Sequence, residues 1–487
     1  MNQANEILVR LEGLGIVPTG VADNSRQVVP GDLFLAYPGD LSDGRRYIAD
    51  ALARGASAVL WQAGDDFAWN SALTATNIHV DGLRALAGPL ADAVYGAPSA
   101  GLSLIAVTGT NGKTTVSQFI ASAYGRRCAV IGTLGAGFPG ALVETGFTTP
   151  EATTLMRLLA DFRAAGAAAC ALEASSIGIE EGRMNGARVD VAVFTNFTRD
   201  HLDYHGSMEA YAAAKQKLFS WPELRTAIVN LDDPVGQALQ HATSAEKVLG
   251  YAIGDAGAVR AEGLCATPQG QRFTLMAPDG RAEVETALLG RYNISNLLAV
   301  AAVLHDAGVA VEEVARRLAA LAAPAGRMER LGGGGEPLVV VDYAHTPDAL
   351  ENVLLTLRPV AAERGGRLYV VFGCGGDRDP GKRPQMGAVA SRFADRVVLT
   401  SDNPRRENPA RIIEEIRVGS AHAEIEVDRA AAIARAISEA APEDVVLLAG
   451  KGHESYQEIA GARTPFSDTQ QARAALEQRR HAQREVA

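Results

Sequence analysis

The chain has 487 residues, more than one hydrophobic core usually organises, so several domains are expected and three are assigned below. With 47% hydrophobic and 21% charged residues it has a globular composition, no uncharged apolar stretch is long enough to span a bilayer, and Met1-Asn2-Gln3-Ala4-Asn5-Glu6 lacks the basic-then-apolar order of a secretion signal; a cytoplasmic protein without membrane insertion is expected. A net charge of −11 argues against sequence-independent nucleic-acid binding, and the widely spaced Cys128, Cys170, Cys265 and Cys374 fit reduced core thiols rather than a disulfide frame or a zinc site.

Residues 28–36 read as a short strand entered through the Pro30-Gly31 turn, 47–55 have helical spacing, and 56–61 read as another strand. This small α/β unit ends at the linker Gly96-Ala97-Pro98-Ser99. The apolar run 102–107 then empties into Val107-Thr108-Gly109-Thr110-Asn111-Gly112-Lys113-Thr114-Thr115, the pattern of a buried strand leading into a phosphate-binding loop. Gly109 and Gly112 let the backbone turn so that N–H groups and the next helix N-terminus face phosphate oxygens. Lys113 neutralises the β/γ-phosphates and the Thr114 hydroxyl helps hold Mg2+, which makes ATP the expected ligand. A glycine turn capping an ordinary helix is the plainer alternative; the order strand, Gly, Gly-Lys-Thr-Thr, helix outweighs it.

Apolar strands at 129–131, 168–172, 189–194 and 227–230 alternate with helical stretches, the rhythm of a mostly parallel sheet. A helix stops near 321–326, and a third alternation follows with strands at 338–341, 368–372, 397–400 and 445–449. The glycine run 332–335 has no Lys or Thr after it and reads as a hairpin tip, while the charged tail from about Gln470 reads as a solvated terminal helix. The expected fold class is α/β in three domains: a central P-loop-type parallel sheet that binds nucleotide, a small N-terminal α/β domain, and a C-terminal Rossmann-like α/β domain.

In a parallel sheet the C-terminal strand ends share one edge with the phosphate loop. Glu173, ending the strand 168–172, and His201, after the strand 189–194, are therefore metal-ligand candidates, although a lone histidine is more often a structural polar residue. Lys215 and Lys217 lie on the amphipathic helical stretch 211–219, where a lysine is usually a solvated surface charge.

The loop, Glu173-Ala174-Ser175-Ser176, residues 196–201, Ala213-Ala214-Lys215, Gly290-Arg291-Tyr292-Asn293-Ile294-Ser295-Asn296 and Asp342-Tyr343-Ala344-His345-Thr346-Pro347-Asp348 stand in the order in which they recur in the ATP-dependent Mur ligases of bacterial peptidoglycan synthesis, which the chain resembles over essentially its whole length. The resemblance implies a UDP-substrate domain over 1–99, an ATP domain over 100–324 and an amino-acid domain over 325–487. It nominates Lys215 over Lys217 as a carbamylated lysine that, with Thr114, Glu173 and His201, holds Mg2+. Lys113, Glu173, His201 and Lys215 are the implied catalytic set, and Asn293, Arg327 and Asp342 the implied adenine, phosphate and ribose contacts.

Within the family, Thr148-Thr149-Pro150, Asp23-Asn24-Ser25-Arg26 with Pro30-Gly31-Asp32-Leu33-Phe34, and Asp43-Gly44-Arg45-Arg46-Tyr47 resemble the branch that adds the third amino acid. The implied small-molecule partners are UDP-N-acetylmuramoyl-L-alanyl-D-glutamate, at Ser25, Thr148, Thr149, Ser175 and Arg183, and meso-diaminopimelate, at Arg378, Asp402, Asn403, Pro404, Arg405, Gly450 and Glu454. A guanidinium and an amide suit the distal carboxylate and amine of diaminopimelate, and lysine lacks that carboxylate. Ile177 stands where the family often has His, and Glu181 where Gln is common; no role is carried over to either. The implied reaction joins the D-Glu γ-carboxylate to the amine through an acyl phosphate. A folylpolyglutamate synthase, another Mur ligase and a nucleotide-dependent switch are the alternatives, and a monomer is expected.

Overall fold

Strands whose residues are apolar on both faces need cover on both faces, and the chain supplies it with helices. A computed structural model describes residues 3–39, 42–64, 67–267 and 270–486; Met1 and Asn2 of the N-terminal segment lie outside them. Strands Gly20–Ala22, Asp32–Ala36, Ala58–Trp61 and Asn77–His79 form a parallel four-stranded sheet. The strand expected from residue 28 starts only at Asp32, after a 3-10 turn over Ser25–Gln27 capped by Asn24. The expected helix at 47–55 opens as a 3-10 turn, Gly44–Tyr47, capped by Asp43, and continues as Ile48–Ala53. One apolar cluster runs from Leu33 and Leu90 of this unit to Leu155, Met156 and Leu172 of the next, so the two are welded by a shared core.

The central sheet has eleven strands, and its middle is the expected parallel layer: Val191–Phe194, Ser103–Thr108 and Ala169–Glu173 are neighbours in that order. This order places the ends carrying His201, the phosphate loop and Glu173 side by side. Both margins turn antiparallel, through Cys128–Gly132, Gly135–Phe138 and Ala141–Val143 at one side and Val259–Thr267, Gly270–Ala277 and Gly280–Thr286 at the other. The helices Lys113–Ala123 and Arg291–Asp306 pack against each other over one face.

In the third unit Leu338–Asp342, Val445–Ala449, Leu368–Phe372, Arg396–Leu399 and Glu424–Ile425 run parallel, with Glu329–Gly332 antiparallel at the edge. The 332–335 glycines do form the tip of that hairpin, all with positive φ. Two expectations are corrected. Cys265 is exposed, in a strand whose outer residues face solvent, while Cys128, Cys170 and Cys374 are buried. The terminal helix Asp468–Val486 is docked rather than merely solvated: Ala472, Ala475 and Leu476 bury against Ile433, Ala436 and Ile437. Asp468 accepts from Arg429 Nε at 2.7 Å and Nη2 at 2.6 Å, both side chains being fully buried. No helix among the described residues is long and apolar enough to cross a membrane.

Removing one partner of a buried pair strands the other charge, so Asp468→Ala is expected to destabilise the C-terminal unit by about 3–5 kcal/mol, read as a lowered urea midpoint; an unchanged midpoint would show that Arg429 is not committed to this helix.

Candidate active site

The phosphate loop is held from below by the strand beside it. Thr195 Oγ1 donates to Asn111 O at 2.6 Å, Asn196 Oδ1 accepts from Asn111 N at 2.9 Å, and Thr110 N reaches Asn196 O at 2.8 Å. A Cβ on Gly109, where φ is +148°, would lie 1.9 Å from Thr195 Oγ1, and one on Gly112, where φ is +86°, 2.7 Å from Asn296 Oδ1. These positions are glycine because the backbone is left-handed and the neighbours leave no room. Thr114 and Thr115 follow at the buried start of the helix.

Lys113 Nζ donates to Gly109 O at 2.8 Å and Thr110 O at 2.9 Å, and Lys215 Nζ donates to the same Gly109 O at 2.9 Å. Lys215 is 1% exposed, contrary to the solvated charge expected of its helix; Lys217, exposed and paired with Glu180, is that surface lysine. Burial, reinforced by the charge of Lys113, pushes the Lys215 amine well below the ordinary lysine range. Burial also lowers Lys113, against the pull of Glu173 and Asp200.

Glu173 is fully buried and hydrogen-bonded: Thr114 Oγ1 donates to its Oε2 at 2.9 Å, and Thr133 donates through N to Oε1 at 2.9 Å and through Oγ1 to Oε2 at 3.1 Å. His201 sits in the left-handed region, φ 53°, and burial pushes its imidazole down to about 4 despite Asp200, so it is neutral and has a lone pair to offer. The Thr114 hydroxyl and the Glu173 carboxylate are the hard oxygens that Mg2+ prefers, and they fit it. Among the described residues no three His, Cys, Asp or Glu side chains gather closely enough to hold a metal by themselves.

Beside the loop lies a cleft lined by Asn111, Thr115, Asn293, Asn296, Arg327 and Asp342 among others. Asp342 accepts from Met328 N and Ala344 N, both at 2.8 Å, and burial raises its carboxyl in spite of Arg327. Arg327 lies over the Tyr343 ring and donates to Thr114 Oγ1 at 3.2 Å, so the third unit reaches the loop of the second.

A second cavity opens between the N-terminal and central units and is lined by Ser25, Phe147, Glu181 and Arg183 among others. Arg183 stacks on Phe147, donates to Glu181 and gives Nη1 to Thr149 O at 3.0 Å. Thr149 Oγ1 in turn lies 2.9 Å from Ser175 Oγ and donates to Glu173 O at 2.7 Å, while Thr148 Oγ1 is 3.0 Å from Thr133 Oγ1. A chain of short contacts thus leads from this cavity to the Glu173 carboxylate.

On the far side, a cleft between the central and C-terminal units is bordered by Thr133, Thr148, Tyr343, His453 and Glu454. Asp402, Asn403 and Pro404 are buried in the loop after Arg396–Leu399, and a Cβ on Gly450 would lie 2.6 Å from Asp402 Oδ2. Asn403 Nδ2 donates to Glu454 Oε2 at 2.7 Å, and Arg405, φ 51°, donates to Gly376 O at 2.7 Å. The Arg378 stem lies beside Gly375, as does the Arg405 guanidinium, but its own guanidinium points to Asp203, 4.0 Å away in the central unit.

Four residues without an assignment from sequence belong to this arrangement. Asp200, beside His201 at 3.4 Å and His345 at 3.7 Å, lies inside a recurring motif, which was its signal. Tyr343 also stands within such a motif, and Lys451 lies between Gly450 and Glu454. Thr133 had none.

Three family descriptions match the chain in order: Mur ligase family, catalytic domain, over residues 18–95; Mur ligase middle domain, over 107–304; and Mur ligase, glutamate ligase domain, over 326–452. The UDP-N-acetylmuramoyl-L-alanyl-D-glutamate--2,6-diaminopimelate ligase of Chromobacterium violaceum is 49% identical over 473 residues, 96% of each chain. Its namesake from Pseudomonas aeruginosa is 52% identical over 463 residues, 93% of this chain and 94% of that one. A solved structure of a ligase of the same name superimposes with a TM-score of 0.66 at 38% identity, covering 95% and 96% of the two chains. The MurF ligase of Thermotoga maritima in complex with ADP, at 19% identity and a TM-score of 0.67 over 95% of this chain and 98% of that one, shares the fold.

Because a methyl group at residue 109 collides with Thr195, Gly109→Ala is expected to lose ATP binding. Saturating ATP should stabilise the wild type by about 2.7 kcal/mol at a hundred times Kd and leave the melting transition of the variant unmoved; an equal shift in both would remove the loop from nucleotide binding.

Proposed function

The chain belongs to the Mur ligase family, and from that premise we propose that it joins meso-diaminopimelate to the D-Glu γ-carboxylate of UDP-N-acetylmuramoyl-L-alanyl-D-glutamate at the expense of ATP, in cytoplasmic peptidoglycan precursor synthesis. A carboxylate does not accept an amine directly, because oxide would have to leave. Transfer of the ATP γ-phosphoryl group to the carboxylate gives an acyl phosphate; the amine adds to its carbonyl carbon, and the tetrahedral intermediate expels phosphate while the nitrogen loses its proton to solvent or a nearby base. No side-chain nucleophile is needed.

The observation that carries this reading is the convergence of Lys113 and Lys215 on Gly109 O, next to Thr114 and Glu173. Lys113 and the loop N–H groups, which turn from backbone carbonyls to phosphate, stabilise charge on the transferring oxygens, so catalysis is chiefly positioning and electrostatics. Thr114, Glu173 and His201 are the residues that would hold Mg2+, which supplies charge neutralisation on the phosphates when bound. Lys215, dry and shifted toward its neutral amine, is suited to add CO2 as a carbamate and so to offer anionic oxygen where an ammonium repels cations.

Asn293, Arg327 and Asp342 serve the nucleotide, with Gly109, Thr110, Asn111, Gly112 and Thr115 of the loop. Ser25, Thr148, Thr149, Ser175 and Arg183 serve the UDP-linked dipeptide. Asp402, Asn403, Pro404, Arg405, Gly450 and Glu454, with Arg378, serve diaminopimelate. These roles divide the chain into functional units at 1–99, 100–324 and 325–487.

Product formation from ATP and the UDP-dipeptide, assayed with diaminopimelate and with lysine, tests the reaction; ligation of lysine in preference to diaminopimelate would overturn the substrate assignment. Lys215→Ala is expected to abolish turnover, with partial return on adding a short carboxylic acid, whereas normal activity of the bare variant would remove the carbamate. Arg405→Ala is expected to raise KM for diaminopimelate by about tenfold or more with KM for ATP unchanged, as for a lost charged hydrogen bond; parallel loss of both would make Arg405 structural.

A further inference from the structure

Lys451 is fully buried, and among the described residues its ammonium donates to residues proposed above to hold the amino acid. Its Nζ donates to Asn403 Oδ1 at 3.0 Å and to Glu454 Oε2 at 2.8 Å. Asn403 Oδ1 also accepts from Glu458 N at 2.9 Å. Two donors on one oxygen decide which way the Asn403 amide faces: its nitrogen must lie on the other side, where it gives one hydrogen to Glu454 Oε2. The second hydrogen of that nitrogen remains to be given. Glu454 Oε2 is taken by Asn403 and Lys451, while Oε1 accepts no hydrogen bond among the described residues and Glu454 borders the cleft facing Thr148 and Tyr343.

From this geometry, and resting on the amino-acid assignment above, we infer that Lys451 is a positioning residue that sets selection for an amino acid with a second carboxylate. It locks an N–H donor of Asn403 beside an acceptor of Glu454, a pair that matches a carboxylate and an ammonium on one carbon. It also balances the charge of Glu454. Without Lys451 the Asn403 oxygen keeps only Glu458 N as its donor, so the amide is less firmly held, and Glu454 carries an uncompensated charge that repels a second carboxylate while it still attracts an ammonium. The loss therefore falls on diaminopimelate and spares lysine, whose distal end is an ammonium alone.

The test is Lys451→Met in the full chain, with kcat and KM measured for diaminopimelate and for lysine. The expected result is that the ratio of kcat/KM for diaminopimelate to that for lysine falls by about tenfold or more, through KM for diaminopimelate, with KM for ATP and for the UDP-dipeptide within about twofold of wild type. A uniform fall for both amino acids, or an unchanged ratio, would overturn the inference, since a merely structural lysine lowers both alike. If the Met variant does not fold, Lys451→Gln, which removes the charge and keeps polarity, is read by the same ratio. A wild-type protein that ligates no diaminopimelate would sink the assignment beneath this inference, and the inference with it.

Discussion

Two ammonium groups share one carbonyl oxygen at the centre of this protein. Lys113 and Lys215 both donate to Gly109 O in a site from which water is largely excluded, where like charges a few ångströms apart repel by several kcal/mol at an effective dielectric of about 20. Such a pairing persists only if one amine sheds its proton or if anions are supplied. Burial favours the first for Lys215, and the helix N-terminus that follows the glycine loop invites the second. The same tension that would be a defect in an ordinary core is what the proposed phosphate and carbamate would relieve. Thr195 and Asn296 fix it in place by leaving room only for glycine at 109 and 112.

The sheet then delivers the remaining groups without further design. Because Val191–Phe194, Ser103–Thr108 and Ala169–Glu173 are parallel neighbours, everything that follows their C-terminal ends arrives at one edge. The contacts that join the third unit to this edge are of another kind. Arg199 to Asp379, Arg378 to Asp203 and Asn111 to Asp348 are half-exposed and long, pairs that contribute little to stability each. Against these stand Arg327 Nη2, which donates to Thr114 Oγ1 at 3.2 Å, and Tyr292, which packs against the apolar core of the third unit, so the boundary combines weak pairs with buried contacts.

Much of this was legible in the sequence because the central strands are apolar runs bounded by glycine, and period and punctuation agree there. The hairpins at the sheet margins were not: in Val259–Thr267 and Gly280–Thr286 alternate residues face solvent, and the polar half masks the strand. The docking of Asp468–Val486 was hidden for a similar reason, since Ala472, Ala475 and Leu476 are a thin apolar stripe in a charged helix. Lys215 could be singled out from its surface neighbour Lys217 only by resemblance; the helix periodicity does not separate them, and what does is the Gly109 carbonyl more than a hundred residues away. Thr133, which holds both oxygens of Glu173, carries no local signal because a threonine after a strand is unremarkable until its partner is known.

The loops proposed to hold the amino acid are tied together by buried charges. Arg429, pinned by Asp468, donates to Ser401 O at 3.4 Å and to Ala449 O at 2.9 Å, and so ties together the ends of the two strands from which Asp402 and Gly450 follow. Lys451 then ties Asn403 to Glu454 across the same two loops. Buried ion pairs of this sort add little net stability compared with apolar packing, because desolvation offsets most of their attraction. What they impose is geometry, since each charge tolerates few alternatives to its partner in a dry site. The pocket proposed for an amino acid with a second carboxylate needs donors and acceptors held at fixed separation. Burying the ionic network within the C-terminal unit supplies that fixed separation.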